Sequence, residues 1–296
     1  MSTVERAAGA TARDDSRRGV LFAIIAVATF ATSPVLIRWA APLSPYEITA
    51  ARLGLASFFV LAASRFVQPA QRQRLSRRDL PRFGLFGLIT ALHFLGYIAS
   101  LNYTTIAHSL AIVYTAPIFV TLFSTWLLQE PLPLRKWGGI GLAVFGIGIL
   151  VGFEPHWSQQ MLIGDLLALV SAITFGLYSV AGRAQRRRFP LLLYASTVYG
   201  MAALWLLPAA VLSFTAAYGT RQIASLFALA AGPLALGHTL YNAALRRTHA
   251  TTVNLIATQE VTGGILLGFL ILHETPSLNS LIGGAITLAG VVAVVL

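Results

Sequence analysis

The chain has no cysteine and few charged side chains, since Asp, Glu, Lys and Arg make up only 10% of its 296 residues. Without cysteine, no disulfide and no cysteine-ligated metal site can form. Hydrophobic residues make up 56% of the chain, a fraction well above that of typical globular proteins. No polar stretch is large enough for a soluble domain. We therefore expect the chain to have a lipid bilayer as its solvent.

Sequence motifs for ATP hydrolysis and for common hydrolases are also missing. The chain has no Walker A motif, so direct use of ATP is not expected, and it has no HExxH, GxSxG or paired Asp motif. Its six histidines are scattered over separate segments, and we expect no metal and no other cofactor. We predict no catalytic residues, and an intramembrane enzyme is the less favoured alternative.

Apolar runs close to the ~20 residues that span a hydrocarbon core recur along nearly the whole chain. We predict an all-α integral membrane protein with ten transmembrane helices. The predicted spans are residues 19–39, 46–64, 83–101, 107–128, 137–152, 162–182, 190–214, 222–245, 250–272 and 278–296. The polar tail, residues 1–18, enters the first apolar segment without a small-residue cleavage site, so we expect that segment to remain as the first span.

The Lys and Arg residues are distributed unevenly between the predicted loops. With ten spans, 18 of the 21 fall in the tail and in alternate loops, which is the pattern of a cytoplasmic side. Only Arg38 and Arg221 fall on the other side, and Arg52 lies inside a span. We predict a multi-pass protein with both termini in the cytoplasm. Topology explains the net charge of +11 better than nucleic-acid binding, which we do not expect.

Two stretches of the first half recur in the second half at nearly the same separation. Residues 19–30 match residues 164–175, and LLQEPLPLRKWGG matches ILHETPSLNSLIGG, at offsets of 145 and 144 residues. A unit of five spans is odd in number, so the second copy must be inverted in the membrane. We predict two inverted five-helix repeats, residues 19–152 and residues 162–296. Inverted repeats are typical of transporters, because related halves can rock about a central site.

These features resemble the drug/metabolite transporter superfamily, specifically its ten-span proteins built from two EamA-type repeats. The resemblance rests on Asn102–Glu130 with the glycines that follow, and on the run from Asn242 through Glu260 to Glu274. It implies a secondary transporter of the bacterial inner membrane. Within the superfamily the chain is most similar to exporters of aromatic amino acids and related aromatic compounds. Export of another small metabolite or a drug is the alternative.

Polar and aromatic side chains share helical faces near the middle of several predicted spans. Residues three and four apart lie on one face, as His93 and Tyr97 do. The candidate cavity-lining residues are Phe30, Pro34, His93, Tyr97, Tyr114, Thr115, Pro117, Phe175, Tyr178, His238, Tyr241, Asn242 and Gln259. Such a lining suits a zwitterionic or neutral solute with an aromatic body and suits polyphosphates poorly. Interhelical hydrogen bonding alone is an open alternative for these polar groups.

Glu260 is the one carboxylate in the middle of the ninth predicted span. A helical wheel places it about 200° from Thr258, at 100° per residue, away from the polar face of that span. We expect Glu260 beside the solute path, in a structural or gating hydrogen bond, in proton binding, or in contact with a substrate amine. Gln259 lies between the two faces and is expected to be the better contact for the solute.

The ionisable side chains inside the predicted spans are candidates for proton binding or for charge pairing. His93, His238 and Glu260 are the mid-span groups that can bind a proton or act as a gate, which leaves uniport and proton exchange both open. For Arg52 we expect snorkelling to the interface or pairing with Glu47, because a charge inside a span is costly unless it is solvated or paired.

Overall fold

The structure is a computed structural model that describes residues 3–67, 75–104, 106–151, 158–185, 187–273 and 278–295. Within these ranges the chain has no strand and forms fourteen α-helices. They are α1 Thr3–Phe30, α2 Ser33–Trp39, α3 Pro45–Val67, α4 Leu80–Ser100, α5 Ile106–Val113, α6 Ala116–Leu128, α7 Leu134–Val151, α8 Gln159–Ala184, α9 Leu191–Leu212, α10 Thr220–Leu229, α11 Thr239–Leu245, α12 Ala250–Ala257, α13 Gln259–Leu272 and α14 Leu278–Val295. A 3₁₀ turn, Arg77–Asp79, precedes α4, and a π-helical segment, Ala230–His238, joins α10 to α11.

Seven of the described helical segments are long and apolar enough to cross a membrane. They are Asp15–Trp39, Pro45–Phe66, Arg77–Ser100, Gln159–Ala184, Leu191–Leu212, Thr220–Leu245 and Ala250–Ile271. Two shorter apolar stretches, Ala116–Leu128 and Lys136–Ile149, lie in the predicted fourth and fifth spans, and α14 lies in the tenth. Helix is therefore present in every predicted span, and the count of ten membrane crossings stays a prediction.

The outer surface of the helical bundle is strongly apolar. Phe58, Trp126, Phe145 and Leu212 are between 62% and 90% exposed. In water such a surface would be an aggregation hazard, whereas in hydrocarbon it is fully solvated. Together with the apolar helices, this surface identifies the chain as a multi-pass membrane protein.

The helices of the two halves pack with approximate two-fold symmetry. α7 packs on α14 and α3 on α9, and these are corresponding helices of the two repeats. The contact of α4 with α8 has its counterpart in the contact of α1 with α11 and the π-helical segment. Moreover, α6 and α13 both end at a residue with left-handed backbone, Gln129 at φ 54° and His273 at φ 57°. Corresponding helices thus meet corresponding partners, and the bundle encloses a central region between the halves.

The contact between α7 and α14 depends on two glycines. A Cβ atom added to Gly146 would lie 2.5 Å from the backbone nitrogen of Thr287, and one added to Gly290 would clash in the same way with Ala143. Hydrophobic association of helices is absent in lipid, so close backbone approach of this kind supplies the packing energy. The two contacts are related by the approximate two-fold symmetry.

We predict that Gly146→Val destabilises the protein, because the added side chain forces the backbones of α7 and α14 apart. Overpacking of this kind costs about 1–3 kcal/mol, measured as a lower melting temperature in detergent. Gly141→Val is the matched control on the same helix, where an added Cβ meets nothing within 4 Å. Equal melting temperatures of the two variants would contradict the assigned packing.

Candidate functional site

Three of the seven membrane-capable segments, and the helical stretch in the predicted fourth span, are interrupted near their middles. The interruptions are Ala31–Thr32 between α1 and α2, Tyr114–Thr115 between α5 and α6, the π-helical segment Ala230–His238, and Thr258 between α12 and α13. The amide N–H of Thr258 is shared between the carbonyls of Asn254 and Leu255, four and three residues back, and Val261 donates to the Thr258 carbonyl three residues back, so the backbone tightens locally toward a 3₁₀ turn. Irregular backbone at membrane depth is tolerated only where protein or a cavity surrounds it.

A small cavity lies where these interruptions meet. It is lined by Phe30, Ser33, Arg52, His93, Phe94, Tyr97, Leu110, Val113, Tyr114, Phe175, His238 and Glu260. The second half of the chain contributes the last three of these residues, so both repeats form the wall. The cavity volume is about 20 Å³, which admits a water molecule but not an amino acid. In this conformation the cavity is occluded.

Aromatic and imidazole rings form most of the cavity wall. The ring of His93 stacks on that of Phe175, with centroids 4.5 Å apart and an interplanar angle of 13°. The His238 ring lies 4.3 Å from the centroid of Phe30 and 4.9 Å from that of Phe94. These rings come from α1, α4, α8 and the π-helical segment. They present both faces and edges, which are the two surfaces that another aromatic ring packs against.

The orientation of His93 is fixed by Ser171 on α8. His93 Nδ1 lies 3.1 Å from the Ser171 carbonyl oxygen, and the Ser171 hydroxyl donates to the His93 carbonyl at 2.9 Å. Because a carbonyl only accepts hydrogen bonds, Nδ1 carries the hydrogen and Nε2 holds the lone pair. This reciprocal contact also ties α4 of the first repeat to α8 of the second.

Two opposite charges line the same cavity. Glu260 is 7% exposed and accepts a hydrogen bond from the Tyr114 hydroxyl. Arg52 is 1% exposed, and its guanidinium carbon lies 4.7 Å from the centroid of the Phe94 ring. A charge buried alone in a low-dielectric region is strongly destabilising, and a nearby opposite charge offsets much of that cost. When both side chains are ionised, the cavity carries no net charge.

The expectation for Arg52 was wrong, because this side chain neither snorkels nor pairs with Glu47. The two residues lie about 140° apart around α3 at 100° per residue, so they face different sides. Glu47 instead accepts hydrogen bonds from the backbone N–H groups of Ser44 and Thr215, at 2.9 and 3.0 Å, and from the Tyr218 hydroxyl at 3.0 Å. Burial, and then the bond to Glu47, raise the pKa of Tyr218 to about 12, so this donor keeps its proton.

The structure places Glu260, and not Gln259, at the cavity. The helical wheel assumed that one face of the ninth span meets the solute path, but α12 is buried on every side from Ala250 to Ala257. The 3₁₀ turn at Thr258 also rotates the chain further per residue than an α-helix does. Gln259 is half-buried and its side chain bonds to Thr258 and Thr262, outside the cavity lining.

The other predicted lining residues divide into two groups. Phe30, His93, Tyr97, Tyr114, Phe175 and His238 line the cavity, whereas Pro34, Thr115, Pro117, Tyr178, Tyr241 and Asn242 lie around it. Thr115 donates to the carbonyl of Ile112 at 2.7 Å, and the Pro117 carbonyl accepts from Thr121 at 2.7 Å. These two positions satisfy backbone groups near the α5–α6 interruption instead of facing the cavity.

Tyr178, Tyr241 and Asn242 form a polar layer behind the cavity. The Asn242 amide donates to the Tyr178 hydroxyl at 2.5 Å, and the hydroxyls of Tyr241 and Ser179 lie 2.6 Å apart. Asn254 on α12 donates to the Tyr241 hydroxyl at 3.2 Å. These three predicted lining residues make hydrogen bonds between helices and do not line the cavity.

Sequence reasoning missed Ser33, Arg52, Phe94, Leu110 and Val113 as lining residues. The apolar members carry no signal that separates them from residues facing lipid. Arg52 carried one, since it is the only basic residue well inside a span. Within the part of the chain that the structure describes, no group of three or more His, Asp or Glu side chains is placed to hold a metal ion.

Arg183 at the end of α8 joins three segments of the chain. Its Nε donates to the Glu130 carboxylate at 2.7 Å, and its Nη1 donates to the carbonyls of Leu245 and Thr248 at 2.9 and 2.6 Å. We call this set of contacts the Arg183 clasp. It connects the end of α6 in the first repeat to α8 and to the loop after α11 in the second.

The clasp lies beyond the polar layer along α8. Going along α8, Phe175 lies in the cavity wall, Tyr178 lies in the polar layer and Arg183 lies in the clasp. Tyr178 is 1% exposed and Arg183 is 8% exposed, so both layers are packed. Along α8, the polar layer and then the clasp therefore lie beyond the cavity wall.

A membrane bundle of two related halves, with an occluded cavity of rings and opposite charges between them, defines a transporter. Residues 17–152 and residues 162–296 each match the EamA-like transporter family. The chain therefore belongs to the EamA-like transporter family, within the drug/metabolite transporter superfamily. The members of this family and the relatives found are transporters and not enzymes.

Several relatives share most of their length with this chain. The pseudopaline exporter CntI of Pseudomonas aeruginosa is 24% identical, over 94% of this chain and 95% of its own. A probable terminal-alkyne amino-acid exporter of Streptantibioticus cattleyicolor is 25% identical, over 92% and 91%. The uncharacterised transporter YoaV of Bacillus subtilis is 26% identical, over 75% and 78%. One protein of known crystal structure has the same fold, with a TM-score of 0.78 over 93% of this chain and 95% of that one, at 19% identity.

Opening of the Arg183 clasp is expected to expose the cavity to the end where Arg183 lies. Since the chain has no cysteine, a single Ser33→Cys substitution in the cavity wall reports access to a membrane-impermeant maleimide. Added Glu130→Gln removes the charge partner of Arg183 and should raise the labelling rate several-fold from that side. Asp79→Asn is the control, because it breaks the neighbouring Asp79–Arg188 ion pair of 2.6 Å. Equal labelling in both double variants would show that the clasp does not control access.

Proposed function

We propose that this protein is a secondary transporter that exports aromatic or other hydrophobic amino acids across the bacterial inner membrane by alternating access. The observation that carries the proposal is the occluded cavity between the two repeats, with aromatic walls and one charge of each sign. This is the chemistry of a site for a small zwitterion with a flat apolar body. In this proposal both termini lie in the cytoplasm, as the distribution of Lys and Arg predicts.

The volume of the cavity supports a mechanism with more than one conformation. A space of about 20 Å³ is far smaller than an amino acid, so the halves must move apart before a solute enters. The Arg183 clasp joins the halves at one end of the bundle, and its release is the step that we assign to opening on that side. Rocking of two related halves about a central site is the usual means of alternating access.

The composition of the cavity wall supports an aromatic or hydrophobic amino acid over a highly charged solute. A polyphosphate would need several convergent Arg or Lys side chains, and Arg52 is the one basic residue among those that line the cavity. Two relatives are named as exporters, one of pseudopaline and one of a terminal-alkyne amino acid. The sequence resemblance to the aromatic amino-acid exporter YddG agrees with this choice. Export of another small metabolite or drug is the second candidate.

His93, His238 and Glu260 are the groups that we propose for gating or proton binding, because all three line the cavity. Glu260 is bonded to Tyr114, which lies at the α5–α6 interruption, so a change in this bond acts at a break between two helices. Proton exchange and uniport are distinguished by whether an imposed pH gradient drives accumulation of the solute in vesicles.

Counterflow tests the proposed function. Liposomes that contain the protein and unlabelled phenylalanine should accumulate labelled phenylalanine or tryptophan transiently, above protein-free liposomes. Phe175→Ala should lower the initial rate, since it removes the ring that stacks on His93, whereas Phe58→Ala on the lipid-facing surface should leave it unchanged.

Absence of exchange with either amino acid would exclude the aromatic substrate. In that case a thermal-shift screen of the twenty amino acids and a panel of small metabolites identifies the solute. A decrease of the rate in Phe58→Ala equal to that in Phe175→Ala would show that the cavity wall is not the binding surface.

A further inference from the structure

Three side chains of the central cavity carry polar atoms without a hydrogen-bond partner in the described part of the chain. They are Arg52 at Nε and Nη1, Tyr97 at its hydroxyl and His238 at Nδ1. All three are at least nine-tenths buried, with 1%, 6% and 6% of their surface exposed. Buried polar groups in folded proteins are nearly always hydrogen-bonded. These four atoms belong to residues that line one cavity, where a polar ligand would supply the missing partners.

Arg52 determines the sign of that ligand. A guanidinium offers only N–H donors and stays charged, so the partner of its free nitrogens must be an acceptor, and an anionic acceptor binds most strongly. The contact with the face of the Phe94 ring, at 4.7 Å, holds the guanidinium in place and leaves the N–H groups at its edge available. A carboxylate matches this planar donor set in shape and in charge.

Glu260 sets a second requirement on the ligand. One of its carboxylate oxygens accepts from Tyr114, and a carboxylate has further lone pairs for a cationic donor. With both side chains ionised, Arg52 and Glu260 neutralise each other in the cavity, so a ligand of either net charge would leave an excess charge buried. A ligand with both charges and none in total keeps the cavity neutral.

We propose that Arg52 binds the carboxylate of the transported solute and Glu260 its ammonium group, so that the site selects zwitterionic α-amino acids over solutes lacking either group. The aromatic rings of the wall then receive the side chain. This assignment rests on the proposed transport function and specifies the part of the substrate that each charge recognises. It also accounts for the buried free N–H groups of Arg52, which the fold leaves without a partner.

The experiment compares four ligands on the purified full-length protein by thermal shift and by inhibition of counterflow. They are phenylalanine, phenylalaninamide without a carboxylate, phenethylamine without a carboxyl group, and 3-phenylpropionate without an ammonium. Phenylalanine should bind best, and each of the others should bind about 10- to 100-fold more weakly, as expected when a charged hydrogen-bond partner is lost. Equal affinity for phenylalanine and its amide overturns the role of Arg52. Equal affinity for phenylalanine and 3-phenylpropionate overturns that of Glu260.

Variants assign each preference to its residue. In Arg52→Gln the preference for phenylalanine over its amide should disappear, while the preference over 3-phenylpropionate persists. In Glu260→Gln the reverse is expected. Arg221→Gln, an exposed basic residue at the start of α10, is the control and should leave all four affinities unchanged. A variant of Arg52 that weakens all ligands alike contradicts the proposal. If Arg52→Gln does not fold, the ligand series on the unaltered chain together with Arg52→Lys still decides it.

Failure of the proposed function is distinguishable from failure of this assignment. If no aromatic amino acid binds the unaltered protein, the substrate proposal fails, and the same comparison is made with the strongest ligand from the metabolite screen and its amide. If that ligand loses affinity when its carboxylate is converted to an amide, Arg52 still binds a carboxylate, although of another solute. A strongest ligand without a carboxylate, or one that binds equally well as its amide, overturns the anchor.

Discussion

Hydrocarbon offers no partner to a charged or hydrogen-bonding group, so each such group inside the membrane must be compensated within the protein. The described structure meets this requirement in separate ways. Arg183 is bonded to Glu130 and to two carbonyls, and Glu47 is enclosed by backbone and hydroxyl donors. Arg52 and Glu260 are instead compensated through a shared cavity, with donors left over. Among these four side chains, Arg52 and Glu260 are the two that line the cavity we propose as the binding site.

The helix interruptions place the cavity between the two halves. A continuous α-helix satisfies its own backbone and offers side chains at a regular rotation, whereas a 3₁₀ or π turn changes that rotation locally. The interruptions at Tyr114 and Thr258 bring Tyr114 and Glu260 together across the two repeats. These interruptions lie beside the cavity, so the irregular backbone and the side chains of the cavity wall belong to the same part of the fold.

Much of the architecture follows from the sequence because it depends on local composition. Apolar runs, the loop charges and the duplicated segments are linear features, and helix is present in each predicted span. The breaks within those helices are harder to predict from the sequence. A proline, Pro117, lies next to the break between α5 and α6, but residues 255–260 around the break before Glu260 include no proline or glycine. A helical wheel cannot represent a helix such as α12 that is buried on every side.

By itself the sequence determined that the chain lies in a membrane, that its halves are related and that rings and a few polar groups occupy its middle. These features can be read from the sequence because the preference of each side chain for lipid or for water is a local property. Only the tertiary structure decided that Arg52 faces inward, that Glu260 lies at the cavity in place of Gln259, and that Tyr178, Tyr241 and Asn242 bond to one another behind it. These outcomes depend on the rotation of each helix against partners distant in sequence, which is set by close packing between the repeats.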